Sequence, residues 1–175
     1  MRLCSLNRRM WKNLKQGLEI GKCKEGYPVI RLMTIEDYTA VYALWKSIRG
    51  FGMRSVDDSR EHIERFIKRN PTTSFVAEEA GRIVGALLCG HDGRRGCFYH
   101  VCVAEEFRSR GIASSMVQAA LEALKKEGIS KVNLVAFVRN QLGNDFWRGQ
   151  GWTLREDLNY YDRTINEANE IEFNP

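Results

Sequence analysis

No run of about 18 apolar residues, the length a membrane-spanning helix needs, occurs anywhere in this 175-residue chain. The N-terminus is basic but lacks the apolar stretch of roughly 7–15 residues that a secretory signal requires. Cysteine is sparse and odd in number: Cys4, Cys23, Cys89, Cys97 and Cys102. Their spacing is neither CxxC nor that of a Cys/His finger, which argues against a structural zinc site and against a secreted disulfide framework. No metal is expected, and a reducing cytoplasm suits these thiols. The phosphate-loop signature GxxxxGK[ST] is missing, and so is the GxGxxG of dinucleotide folds. No internal repeat is visible.

What is present describes one globular domain of ordinary size, 43% apolar and 28% charged, which excludes whole-chain disorder. The net charge of +5 invites a nucleic-acid reading, but its position argues otherwise. Residues 1–28 hold seven basic side chains and two acidic ones, while residues 29–175 hold 20 of each sign. The main body therefore has no excess charge to neutralise phosphates. In the leader, Leu3, Leu6, Met10, Leu14 and Leu18 recur at helical spacing. The simplest reading is an added segment; a helix that docks on RNA or an anionic lipid surface is the alternative.

Along the body, Val29–Met33 reads as a strand, and Thr34 caps the helix that follows, with Asp37 three residues on. Asp57, Asp58 and Ser59 open a second helix that Pro71 stops. Ser74–Glu79 and Arg82–Gly90 form a hairpin about Ala80-Gly81. A charged turn, Asp92-Gly-Arg-Arg-Gly96, leads into the strand Cys97–Val103. A long helix runs from Gly111 to Glu127 with Gly128 as its C-terminal cap. Lys131–Val138 is expected to be a strand buried on both faces, and Asn140–Gln150 a short helix. Trp152–Asp157 and Asn159–Ile165 are expected to form a terminal hairpin, and the polar residues 166–175 to fray. This order of elements is an α/β (α+β) architecture, a mixed sheet with helices on both faces.

The chemistry concentrates in His100-Val-Cys-Val-Ala-Glu-Glu-Phe-Arg-Ser-Arg-Gly-Ile-Ala113. A strand ends near Val103, a short loop carries Arg108, Ser109 and Arg110, and Gly111, Ile112, Ala113 and Ser114 open the long helix. The first N–H groups of a helix lack internal partners, and with the helix dipole they attract an anion. Gly111 and Ala113 keep side chains out of the way, and the arginines can add charge-assisted hydrogen bonds. The residues thus describe a phosphate at a helix N-terminus.

This arrangement, with Arg108-x-x-Gly111-x-Ala113 between a strand and a long helix, resembles the GNAT acetyltransferase superfamily. Asn140, Phe146-Trp147 and Gly151-Trp152 match that family's later stretch, and the Asp92–Gly96 turn resembles members that acetylate ribosomal-protein alanines. The resemblance spans residues 29–165 and leaves out the leader. It implies a GNAT fold: a mixed, mostly antiparallel sheet of about seven strands with a splayed central parallel pair. It also implies acetyl-CoA as co-substrate, its pyrophosphate on the backbone from Arg108 to Ser114 and its pantetheine arm along Val101, Cys102 and Val103. Asn140 would hydrogen-bond the arm, and the acceptor would be a primary amine on a small molecule or a peptide N-terminus. Acceptors in this fold meet the loop between the first two helices, here Arg49 to Ser59. A homodimer through the terminal hairpin is compatible with the fold.

The match has gaps. Many members have a tyrosine acid where this chain has Trp147, and indole N–H is no usable acid. A catalytic glutamate is common on the strand before Asn140; the comparable residue here is Val135. His100 is the substitute base, since imidazole titrates near neutrality. By strand alternation it shares a face with Phe98 and Cys102, where a structural histidine is the competing reading, and Tyr99 lies opposite. Cys97 and Cys102 read as small core residues. Asp57 and Asp58 either cap the second helix, the simpler reading, or attract a cationic amine. Trp45, Phe51 and Met53 line either the acceptor cleft or the core. An N-acetyltransferase is the expected function, and an acyl-CoA-binding module with weak catalysis the alternative.

Overall fold

A computed structural model describes residues 27–175; the helix expected over Leu3–Leu18 lies outside the described residues. Seven strands and four α-helices follow in the order β1 (Val29–Leu32), α1 (Tyr38–Ser47), β2 (Gly52–Arg54), α2 (Arg60–Arg69), β3 (Phe75–Glu79), β4 (Arg82–His91), β5 (Gly96–Val103), α3 (Ile112–Lys126), β6 (Val132–Leu134), α4 (Gln141–Gly149) and β7 (Ile171–Phe173). Five strands form one sheet in the order β1-β3-β4-β5-β6. All its neighbours are antiparallel except β5 and β6, which run parallel.

Alternation along β4 divides the core between the two faces of this sheet. Val84, Leu87 and Cys89 pack with Met116, Val117, Ala120 and Leu124 of α3. Ala86 and Leu88 pack with Val41, Leu44 and Trp45 of α1 and Ile63 of α2. Local signals set the helix ends. Thr34 N–H donates to Asp37 Oδ2 at 2.9 Å, and the chain makes a 3-10 turn at Ile35–Asp37 before α1 begins. Arg31 forks onto the same carboxylate at 2.7 and 2.8 Å, tying β1 to that turn. At the far end of α3, Ile129 N–H reaches Leu124 O at 2.9 Å and Gly128 N–H reaches Lys125 O at 3.1 Å. That pair of bonds closes the helix in the Schellman manner.

Three expectations fail. The strand expected over residues 131–138 is only three residues long and lies at the sheet edge. Val135 and Val138 are exposed rather than buried on both faces. An apolar run reads alike whether or not a neighbour pairs with it, and among the described residues no strand pairs with the outer side of β6. The terminal hairpin is not formed, and residues 152–170 carry no strand. The last ten residues do not fray. β7 pairs with β2 in a separate two-stranded antiparallel sheet. Asn174 is buried and its Nδ2 donates to Trp45 O at 2.7 Å and Ile48 O at 2.9 Å, adding a second donor to each of these carbonyls at the end of α1.

Candidate active site

The β5–β6 pairing covers only Gly96–Phe98 against Val132–Leu134. Beyond Phe98 the two strands part, and β5 continues against β4 alone. There β5 carries an extra residue: Leu88 faces Tyr99 and Ala86 faces Cys102, so two steps on β4 oppose three on β5. The bulge puts His100 in the left-handed region, φ +48°. For a residue with a Cβ this costs on the order of 1–3 kcal/mol and marks a place where structure around it holds the backbone. A cleft of about 670 Å³ opens at this point, walled by Tyr99, His100, Val101, Val135, Asn140 and Trp147 among others.

The bulge also decides which way the side chains look. Phe98 packs toward α4, its ring 6.4 Å from Trp147 and 5.4 Å from Trp152. His100 packs on the opposite face, 4.8 Å from Trp45 and 4.9 Å from Phe51. Tyr99 joins it there, edge-on to Phe66 at 5.9 Å. The alternation expected from the sequence, His100 with Phe98 and Tyr99 opposite, is therefore wrong. One inserted residue shifts the strand's phase and turns two consecutive side chains to one side.

His100 is not alone in its pocket. Its Nε2 lies 2.6 Å from Oδ1 of Asp58. Asp58 does not cap α2: that role falls to Ser59, whose Oγ accepts from His62 N–H at 3.4 Å. The other oxygen of Asp58 accepts from Arg54 N–H at 2.7 Å, and the side chain is 6% exposed. Asp57, at the surface, accepts from Asn169 Nδ2 at 2.7 Å. Sequence reasoning missed the pairing. The available signal was that Asp57-Asp58-Ser59 offers three caps to a helix that uses one. Phe51 lines the cleft, whereas Trp45 of α1 and Met53 of β2 are core.

The turn before α3 is built for backbone donors. Gly111 has φ +79° and Ser109 φ +60°. The first bond of the helix runs from Ser115 N–H to Gly111 O at 3.0 Å. The N–H groups of Ile112, Ala113 and Ser114 thus have no helical acceptor. Arg108 N–H is already given to Glu105 O at 3.2 Å. Both arginine side chains are also engaged elsewhere: Arg108 Nε donates to Val103 O at 3.3 Å, and Arg110 forks onto Glu79 at 2.7 and 3.0 Å. Arg110 is therefore not brought to the turn, because a bidentate carboxylate is nearer.

Asn140 stands at the start of α4 and its Oδ1 accepts from Gly143 N–H at 2.9 Å. A Cβ on residue 143 would come within 2.5 Å of Asn140 Nδ2, so the glycine makes room for this cap. Trp147 belongs both to the cleft wall and to a cluster with Phe146 at 4.9 Å and Trp152 at 5.0 Å. Burial pushes the thiol of Cys102 up to about 12 and raises that of Cys97, so neither is poised as a thiolate.

Residues 38–152 match the family model described as "Acetyltransferase (GNAT) family". An acetyltransferase of Sodalis glossinidius is 35% identical over 106 residues, 61% of this chain and 73% of its own. Among solved structures, a PaiA N-acetyltransferase from Thermoplasma acidophilum in complex with coenzyme A aligns with a TM-score of 0.64 at 16% identity, covering 82% of this chain and 96% of its own. A ribosomal-protein-alanine N-acetyltransferase from Brucella melitensis aligns with a TM-score of 0.61 at 19% identity, covering 78% and 99%. At such identities the structural likeness speaks for the fold.

Proposed function

Because the chain belongs to the GNAT acetyltransferase family, we propose that it transfers an acetyl group from acetyl-CoA to the primary amine of a small molecule or a protein N-terminus. The observation that carries this reading is the parting of β5 from β6 after Phe98, which leaves an open strand edge beside a cleft. The residues fit the co-substrate. The N–H groups of Ile112, Ala113 and Ser114 would take the pyrophosphate. The edge at Val101–Val103 would pair with the amides of the pantetheine arm, and the amide of Asn140 would bond that arm.

Bound acetyl-CoA would supply a thioester whose carbonyl carbon is open to an amine. His100 acts as base, taking the proton that the amine nitrogen loses. The protonated thiols of Cys97 and Cys102 favour direct attack over an acyl-enzyme. Val135 and Trp147, which replace the family's glutamate and tyrosine, favour a second reading: a module that holds acyl-CoA with weak catalysis.

Release of CoA thiol, measured with a linear diamine, an amino sugar and a peptide with N-terminal alanine, separates the two. Release that needs both acetyl-CoA and an amine supports the enzyme. Tight binding of acetyl-CoA with no release above buffer supports the module.

A further inference from the structure

We propose that Asp58 is a positioning residue for His100: it fixes the imidazole with its hydrogen on Nε2 and leaves Nδ1 as the atom that receives the proton. The assignment rests on the acetyltransferase reading, and it names a residue and an atom that reading leaves open.

A carboxylate accepts and does not donate. In the 2.6 Å contact between Asp58 Oδ1 and His100 Nε2, the hydrogen therefore belongs to the imidazole. Nδ1 has no hydrogen-bond partner among the described residues, and the ring lies on the cleft wall. A ring held by one nitrogen in a single tautomer, with the other nitrogen presented to the reactant, is the arrangement a general base requires.

The rest of the pocket restricts the ring further. Trp45 and Phe51 pack against it, and the bulge sets its backbone at φ +48°. Asp58 is itself held. Oδ2 accepts from Arg54 N–H at 2.7 Å, the Asp58 N–H returns to Arg54 O at 3.1 Å, and Tyr38 Oη donates to Asp58 O at 2.9 Å. Closing this turn needs one carboxylate oxygen; the other is spent on His100. Besides Asp58, the charged and titratable groups that share the cleft with His100 are Arg54, Asp57, His62, Arg65, Arg69, Cys97, Tyr99 and Tyr160. None of these groups forms a hydrogen bond to the His100 ring; Asp58 does.

In the reaction the amine nitrogen bonds to the acetyl carbon. The carbon–sulfur bond breaks with its electron pair on sulfur. One proton passes from nitrogen to His100 Nδ1 and is returned to the thiolate, so amide and thiol leave in balance. Asp58 faces the imidazolium while it carries that proton.

Asp58→Asn is the discriminating change. Its amide oxygen can keep the Arg54 N–H, which turns the NH2 toward His100 and reverses the tautomer. The full-length wild type, Asp58→Asn, His100→Gln and the double variant are compared with the panel amine that is turned over. We expect kcat to fall roughly 100-fold in each single variant, with the KM for acetyl-CoA unchanged. The double variant should be no slower than His100→Gln, because the two residues act as a unit. Imidazole 15N spectra should show neutral His100 protonated at Nε2 in the wild type and at Nδ1 in Asp58→Asn. Full turnover in His100→Gln overturns the base reading itself. Loss in His100→Gln with full turnover in Asp58→Asn overturns the role of Asp58 alone. Should Asp58→Asn not fold, the wild-type spectrum still decides: a neutral His100 carrying its hydrogen on Nδ1 overturns the proposal.

Discussion

Arg110 forks onto Glu79 through two hydrogen bonds of 2.7 and 3.0 Å, reaching back from the turn before α3 to the end of β3. The guanidinium that the sequence offers to a phosphate is thus engaged with a carboxylate, and the donors left to the proposed anion site are backbone N–H groups and those Arg108 nitrogens other than the Nε held by Val103 O.

Arg110→Ala should accordingly change the acetyl-CoA dissociation constant by less than about threefold, since its guanidinium is held by the Glu79 carboxylate. Arg108→Ala should weaken binding more. Titration calorimetry on both variants ranks them; a larger loss for Arg110 would mean that it leaves Glu79 for the ligand.

Gly111→Ala separates strain from packing. A Cβ there meets nothing within 4 Å, but φ is +79°. The variant should lose about 1–2 kcal/mol of stability from the left-handed backbone alone and should bind acetyl-CoA less well. Chemical denaturation with and without ligand reads both effects.

The chain terminus should contribute to stability. Asn174 donates to two carbonyls at the end of α1. Each of these carbonyls also accepts a backbone N–H, from Ile48 and from Phe51, so Asn174→Ala removes second hydrogen bonds at a cost of about 0.5–1.5 kcal/mol each. Thermal unfolding should move down by about 2–4 °C per kcal/mol for a chain of this size. An unchanged midpoint after removing residues 166–175 would return the tail to a frayed end.

Alkaline pH should destabilise the fold through its buried thiols. Burial lifts Cys89 and Cys102 from the ordinary 9.0 to about 12. A raised folded value means that the contribution is fully present below pH 9.0 and is lost as pH rises toward 12. The slope is up to about 1.4 kcal/mol per pH unit for each thiol. Denaturation midpoints across that window, with Cys89→Ala and Cys102→Ala as controls, check it. Thiol reagents at pH 8 should spare both residues until the protein unfolds.

The sequence made some of this legible and hid the rest for identifiable reasons. β5, the turn and α3 announce themselves because Gly111, the small residues after it and the apolar spacing of α3 act within a few residues of one another. Strands β2 and β7 are three residues each, and their pairing joins Met53 to Glu172 across the chain; no local pattern carries that. The His100 bulge has no compositional mark, so plain alternation set the histidine's face wrongly. Asp58 was hidden by its place in a capping sequence, and its partner lies 42 residues away.

Calorimetric titration of the full-length protein with acetyl-CoA, with adenosine as control, tests the central claim most directly. The account predicts saturable one-site binding to acetyl-CoA and none to adenosine. It also predicts a stabilisation of about 2.7 kcal/mol when the ligand stands at 100 times its Kd. No heat and no thermal shift at millimolar acetyl-CoA would contradict it: the parting of β5 and β6 would then be a feature of the fold without its ligand.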